Sequence, residues 1–230
     1  EGYKPQDLLS FDYEKEESGS EIKVFDHRKK TNILPMVEDY VKNSKYNIKI
    51  FAESKTVVDS LKPYPVLSER IFNRNKCDTC DAVMFFDYPA DKITFVDLLE
   101  KTSATQIHLM GYDVKNFSQE EFIQTVYKML KYAQNYNNGE IELYKFASFL
   151  GKSNEVLNIL FSVLEDAGMI KVISRDVQKI KISFDETVKL PTVLHCQGYS
   201  ALVEACQECE EFQTQLLTVD MHDFKELISI

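Results

Sequence analysis

Asp26 and His27 stand side by side in the stretch "VFDHRKK", at the end of an apolar run. An aspartate beside a histidine is a metal-binding or acid/base pair in many hydrolases. A hydrolytic metal centre, however, needs several carboxylates and histidines that converge on one ion. The chain has four histidines, none with a partner at ligand-like spacing, and Arg28 adds a cation where a second ligand would help. We therefore favour a strand end, and we predict neither a catalytic residue nor a metal ligand.

Four acidic residues follow or end apolar segments that are typical of strands. In open parallel sheets, ligands bind at the edge formed by the carboxyl ends of the strands. A nucleotide or small-molecule site at this edge is therefore an alternative function for the chain. The four candidate residues are Asp26, Glu53, Asp87 and Asp113.

The cysteines include two Cys-x-x-Cys pairs, a spacing found in zinc and redox sites. Cys77 and Cys80 lie in a polar stretch, whereas Cys206 and Cys209 lie far downstream on the apolar stripe of a predicted helix. A structural zinc site usually has both pairs close in sequence, so we expect reduced thiols and no bound zinc. Five cysteines, an odd number, favour a reducing compartment and predict a cytoplasmic location.

The 230 residues suffice for one large domain or two small ones, and 44% of them are hydrophobic, enough for a substantial core. Residues 1–21 contain a strand-like segment and then a charged, Ser/Gly-containing linker. Over residues 22–118, apolar strand-like segments alternate with helical spacing. This pattern predicts an α/β unit, a small parallel sheet with flanking helices. Strands are predicted at 22–26, 47–54, 82–89 and 106–113, and helices at 33–44, 56–62 and 93–102.

Residues 119–184 show a different pattern, three amphipathic helices and then two strands around a polar turn. This order predicts a winged-helix-like α+β unit whose third helix occupies the position of a recognition helix. The predicted helix ends in Glu165 and Asp166, and the unit has few cations, so we favour protein contact over DNA contact. Any weak nucleic-acid contact is expected from Lys145, Lys152, Arg175 and Lys179.

Residues 185–230 are predicted to form C-terminal amphipathic helices, whose apolar face includes Leu202, Phe212 and Leu216. The segment has nine acidic and two basic residues, and its net charge of −7 dominates the chain's net −10. Because like charge repels phosphate, we expect weak nucleic-acid binding. We expect the helices to dock on the domain itself or on a partner protein. No apolar run is long enough to cross a membrane.

Several segments, in order, resemble the RecJ family of bacterial single-stranded-DNA-specific exonucleases, which are DHH phosphoesterases. The stretch "KPQDLLSFDY" is similar to the last strand of the family's OB domain, and "VFDHR" resembles the Asp-x-Arg segment that follows it. The resemblance extends over nearly the whole chain. The other similar segments are "AVMFFDYP", "FVDLLEKTSATQIHLMGYD", "FSQEEFIQTVYKML", "LFSVLEDAGMIKV" and the tail "GYSALVEAC…QLLTVDMHDFKELI".

The resemblance implies a non-catalytic C-terminal accessory domain of a 5′-to-3′ exonuclease that acts in DNA repair and recombination. Asp26-His27-Arg28 is not the family's manganese-binding Asp-His-His motif, so no catalytic residue is carried over. The family's manganese or magnesium would belong to a core that this chain lacks, and no cofactor is implied here. The implied partners are the rest of the enzyme, DNA-repair proteins and, weakly or indirectly, single-stranded DNA. A stand-alone nucleotide-binding α/β protein and a winged-helix regulator are the alternatives.

Overall fold

The computed structural model describes residues 22–30, 32–111 and 118–228. The first predicted unit, residues 1–21, and the candidate ligand residue Asp113 lie outside these ranges. The described residues form a mixed α/β structure with a five-stranded parallel sheet, a small antiparallel sheet and C-terminal helices. The predicted fold class is therefore confirmed.

The first part of the chain forms the parallel sheet. Its strands are β1 (Lys23–His27), β2 (Ile48–Phe51), β3 (Ile71–Phe72), β4 (Ala82–Phe85) and β5 (Gln106–Met110). They lie in the order β1-β5-β4-β2-β3, and each neighbouring pair is parallel. β4 is central and buried along its whole length, which explains its continuous apolar run. The short strand β3 was not predicted.

Four helices connect these strands: α1 (Leu34–Asn43), α2 (Lys55–Leu61), α3 (Pro65–Ser68) and α4 (Lys92–Thr102). Two of them begin at side-chain caps. Ser54 Oγ accepts a hydrogen bond from the Val57 amide, and Asp91 Oδ1 accepts one from the Thr94 amide. These bonds satisfy amides that have no partner within the helix, and so define where α2 and α4 begin.

The two faces of the sheet bury different helices, because successive strand residues point to opposite sides. Ile50 and Met84 pack in a cluster with Val41 of α1. Their neighbours Phe51 and Phe85 point to the other face. That second face is covered by α4 and by residues from the C-terminal part of the chain.

The second part of the chain has the element order of a winged helix. The elements are α5 (Gln119–Tyr136), β6 (Glu140–Glu142), α6 (Leu143–Leu150), α7 (Asn154–Asp166), β7 (Ile170–Arg175) and β8 (Lys179–Phe184). The sheet is antiparallel with the order β6-β8-β7. Ser118 and Glu121 form a reciprocal capping box at the start of α5. The sequence predicted three helices and two strands here, and the structure adds β6.

The last helices, α8 (Leu190–Leu194), α9 (Tyr199–Thr218) and α10 (Met221–Ile228), connect the two halves of the molecule. Leu202 and Cys209 of α9 belong to the winged-helix core, whereas Leu216 belongs to the second face of the parallel sheet. Phe224 of α10 lies in the same sheet core, with its ring edge-on to Phe95 at 6.0 Å. Among the described residues, none of the helices combines the length and hydropathy needed to span a bilayer.

Candidate functional site

The predicted ligand residues Glu53 and Asp87 lie next to each other, because each follows one of two paired strands, β2 and β4. Asp87 Oδ2 accepts hydrogen bonds from the Glu53 and Ser54 amides, both at 2.7 Å, and its Oδ1 accepts one from Ser54 Oγ at 2.9 Å. Burial raises the pKa of Asp87 to about 6, although these bonds oppose the shift. Both carboxylate oxygens thus bind the start of α2.

Glu53 is paired with Arg74, the residue that follows β3 closely in sequence. The shortest distance between guanidinium nitrogen and carboxylate oxygen is 2.6 Å, and the side chains are 4% and 7% exposed. Ser148 Oγ of α6 donates to Glu53 at 3.0 Å, and Arg74 Nη1 donates to the Lys152 carbonyl at 3.0 Å. The buried pair therefore connects the edge of the parallel sheet with the winged helix, in bidentate geometry.

Asp26 has a similar arrangement at the opposite side of the sheet. Its carboxylate accepts hydrogen bonds from the Arg28 guanidinium at 2.8 and 2.9 Å, and these bonds lower the pKa of Asp26. Arg28 Nη1 also donates to the Leu216 carbonyl of α9 at 2.7 Å. Gly111 passes so close that a Cβ there would lie 1.9 Å from the Arg28 carbonyl oxygen. The Asp-x-Arg segment thus connects β1 to α9.

The His27 side chain faces a second buried histidine, His108. Its Nε2 is 3.2 Å from His108 Nδ1 of β5, and both side chains are buried. Burial lowers the pKa of His27 to about 4 and that of His108 to about 3, so both rings are neutral at pH 7. The Phe25 ring stacks on His108 at 4.7 Å. The pair Asp26-His27 is therefore the end of a strand, as the sequence predicted.

The predicted ligand residues do not form one site. Glu53 and Asp87 lie together, but Asp26 lies near the end of β1, which β5 separates from β4. Sequence reasoning missed the two arginines that bond to these acids. The signal was present in "FDHR", where a cation follows an acid by two residues. Nothing in the sequence predicted that Arg74 would reach Glu53.

The predicted nucleic-acid residues are also dispersed. Lys152 is buried and its Nζ is 2.9 Å from Glu210 of α9, so it faces the interior and not a polyanion. Arg175 donates to the Asn158 side chain of α7. Lys145 pairs with Glu142 at 2.6 Å, and Lys179 is exposed. Only Lys145 and Lys179 line the same surface depression.

Helix α7, in the recognition position, offers little to DNA. All of its apolar residues except the half-buried Ile159 are buried, and α9 packs against it so closely that a Cβ at Gly198 would lie 3.0 Å from Val163 Cγ2. α7 contains no lysine or arginine. Reading the major groove depends on cations and amides that reach base edges and phosphates. The exposed residues are Asn154, Glu155, Asn158, Ser162, Glu165 and Asp166.

All five cysteines are free thiols in the structure. Burial raises the pKa of Cys80 and of Cys206 to about 11, which keeps both in the thiol form at pH 7. Within the described part of the chain, one group of three side chains lies close enough to hold a metal ion. It consists of His222, Asp223 and Glu226 on α10, all exposed, and includes no cysteine.

A groove of about 800 Å³ lies between α5, β6 and α6. Ala133, Ile141 and Phe146 line it and are buried, whereas the rings of Tyr132 and Phe149 are 59% and 50% exposed. Sequence reasoning missed this groove. The available signal was Tyr132 and Tyr136, two aromatic residues on the polar side of α5 at helical spacing.

The chain matches no protein-family model, and searches of curated proteins and of solved structures found no match. The resemblance to the RecJ family therefore rests on the sequence segments alone.

Proposed function

We propose that the chain is a non-catalytic accessory domain of a RecJ-like single-stranded-DNA exonuclease. One observation carries the proposal: the described acids at the carboxyl edge of the sheet bind internal groups. Asp87 holds the start of α2, Glu53 holds Arg74, and Asp26 holds Arg28. At the edge where α/β proteins usually bind ligands, these acids bind groups of the same chain instead. Glu53, with Arg74, and Asp26, through Arg28, also connect the sheet to the winged helix and to α9.

A scaffold role fits the energetics of these bonds. Removing one partner of a buried ion pair costs about 3–5 kcal/mol, since the other charge is left buried and uncompensated. A ligand that competed for Glu53 would have to replace both the Arg74 and the Ser148 contacts. The α/β half is accordingly proposed to support the winged helix and the C-terminal helices.

The proposal includes the partners that the resemblance implies. These are the rest of the enzyme, which would hold manganese or magnesium in its own DHH core, and DNA-repair proteins in the cytoplasm. Single-stranded DNA would be a weak or indirect partner. The domain would contribute binding, and the hydrolytic chemistry would take place elsewhere in the enzyme.

The coding sequence provides the direct test. We expect the reading frame to encode a DHH core and the earlier strands of an OB domain upstream of Glu1. A frame that encodes this fold alone would contradict the accessory-domain proposal. It would favour a stand-alone α/β or winged-helix protein.

A nuclease assay provides the second test. Incubated with manganese and a 5′-labelled single-stranded oligonucleotide, the purified chain is expected to leave the oligonucleotide intact. Degradation that persists through purification and is lost in Asp26→Ala would contradict the proposal. Asp59→Ala removes an exposed carboxylate of α2 and is the matched control.

A further inference from the structure

The groove between α5, β6 and α6 combines an apolar interior with exposed aromatic rings. Tyr132 and Phe149 lie at its rim and are half exposed or more. The ring of Tyr136, itself 74% exposed, packs against Tyr132 with centroids 4.9 Å apart. Contact between these exposed rings and water is unfavourable, and their faces can stack on a planar ligand.

The charge around the groove is positive in a chain of net −10. Lys128, Lys145 and Lys179 line it together with Glu140 and Glu142. Both glutamates lie next to lysines of the same chain. Glu142 bonds to Lys145 at 2.6 Å, and Glu140 lies opposite Lys181 in the β6–β8 ladder.

Two of these lysines have charge available for a ligand. Lys128 of α5 is exposed, as is Lys179 at the start of β8. Within the described residues, neither is at ion-pair distance from a carboxylate; Lys179 lies opposite Glu142 in the β6–β8 ladder, but Glu142 itself pairs with Lys145. Their position contrasts with α7, which contains no lysine or arginine. The groove therefore has lysines beside its aromatic rings, whereas α7 has none.

We propose that this groove binds a short single-stranded nucleic acid, with bases stacked on Tyr132 and Phe149 and phosphates at Lys128 and Lys179. Exposed aromatic rings beside cations are the combination that holds single strands without reading their sequence. A peptide with apolar side chains would use the groove but not its cations. The inference rests on the proposed function and adds a contact surface to it.

The affinity should depend modestly on salt. Each phosphate neutralised on a single strand contributes about 0.7 to the slope of log affinity against log salt. With Lys128 and Lys179 engaged, we expect a slope of about −1.4. A much steeper slope would indicate a larger cationic surface than the groove offers.

Fluorescence anisotropy with fluorescein-labelled (dT)12 tests the proposal on the whole 230-residue chain. We expect Tyr132→Ala and Phe149→Ala each to weaken binding about tenfold, because each removes a stacking platform. Tyr132→Phe retains the ring and should retain affinity. Ile93→Ala, at an apolar residue 82% exposed on α4, is the matched control and should have no effect.

A second set of variants tests the contribution of charge by replacing each of three lysines with glutamate. Lys128→Glu and Lys179→Glu should each weaken binding about tenfold and reduce the salt slope. Lys131→Glu makes the same change of net charge on α5, but Lys131 is outside the groove and pairs with Glu186. An equal loss in all three variants would show general electrostatic attraction and would overturn the proposal. Circular dichroism of each variant verifies that it is folded.

A labelled ten-residue peptide of alternating Glu and Phe tests the other class of occupant. Tighter binding of this peptide than of (dT)12, lost in the same variants, would overturn the proposal in favour of an acidic protein partner. A single-stranded RNA of equal length, (U)12, separates the two nucleic acids. The two proposals fail separately: an upstream DHH core without (dT)12 binding contradicts only the groove, whereas binding without that core contradicts only the accessory-domain function.

Discussion

The carboxyl edge of the parallel sheet and the α5–α6 groove use their side chains in opposite ways. At the edge, Asp87, Glu53 and Asp26 bond to amides and arginines of the same chain. In the groove, the rings of Tyr132 and Phe149 and the side chains of Lys128 and Lys179 are exposed to solvent. Charged residues at a customary binding position can thus be structural, whereas a less conspicuous surface has groups available for a partner.

The largest effect that tests this difference is expected from Arg74→Ala. The change leaves the Glu53 carboxylate buried without its guanidinium, and should lower the free energy of unfolding by about 3–5 kcal/mol. Urea denaturation measures it. Lys62→Ala, which breaks an exposed pair with Asp59, should change little. Equal stability of the two variants would contradict a structural role for the Glu53–Arg74 pair.

Replacing one phenylalanine in each region compares directly how much the two regions contribute to stability. Phe224→Ala removes a fully buried ring from the sheet core and should cost about 3–5 kcal/mol in chemical denaturation. Phe149→Ala removes a half-exposed ring from the groove and should cost about 1 kcal/mol or less. A large loss of stability in Phe149→Ala would place that ring in the core and would break the comparison.

The stability of the sheet should decrease in acid because of His27 and His108. Their pKa values in the fold, about 4 and about 3, lie below the unfolded value of 6.5, so below pH 6.5 the unfolded chain binds more protons. Stability is therefore complete above pH 6.5 and decreases towards pH 4, by roughly 3 kcal/mol for each of the two histidines. Thermal denaturation from pH 7.5 to 4 measures this.

A second variant isolates the contribution of Asp87 to that pH dependence. Asp87, with a pKa raised to about 6, contributes with the opposite sign between pH 6 and its unfolded value of 3.8. Asp87→Asn removes this contribution, and the loss of stability in acid should then be steeper. An unchanged or shallower acid profile would contradict the assignment.

The smallest effect is expected from Asp87→Asn at pH 7. Burial already disfavours the carboxylate, and an amide oxygen can still accept bonds from the Glu53 and Ser54 amides. We expect a change of about 1 kcal/mol or less in the free energy of unfolding. Asp87→Ala should cost more, because it leaves both amides without an acceptor.

The sequence pattern predicted most of the longer helices and strands, but not the side-chain contacts between them. The apolar runs at β2, β4 and β5 and the helical stripes of α5 and α7 depend on local periodicity, which one sequence contains. β3 and β6 were missed because two- and three-residue strands have no periodicity to detect. Tertiary pairing, and not local preference, defines them.

The site was less predictable than the fold. Glu53 and Asp87 were expected together, because parallel strands present their carboxyl ends at one edge. Their partners were not, since Arg74 and Ser148 approach from elements that no local pattern places near Glu53. Lys152 was chosen for its charge, but its burial against Glu210 depends on where α9 packs.

The packing of Leu216 and Phe224 on the parallel sheet has a consequence for synthesis on the ribosome. The sheet ends at Met110, but its second face is complete only when residue 224 has emerged. Until then Phe51, Phe85 and Phe95 lack part of their cover. Translation products that stop after β8 would expose this aromatic surface, and they would be substrates for chaperones and proteases.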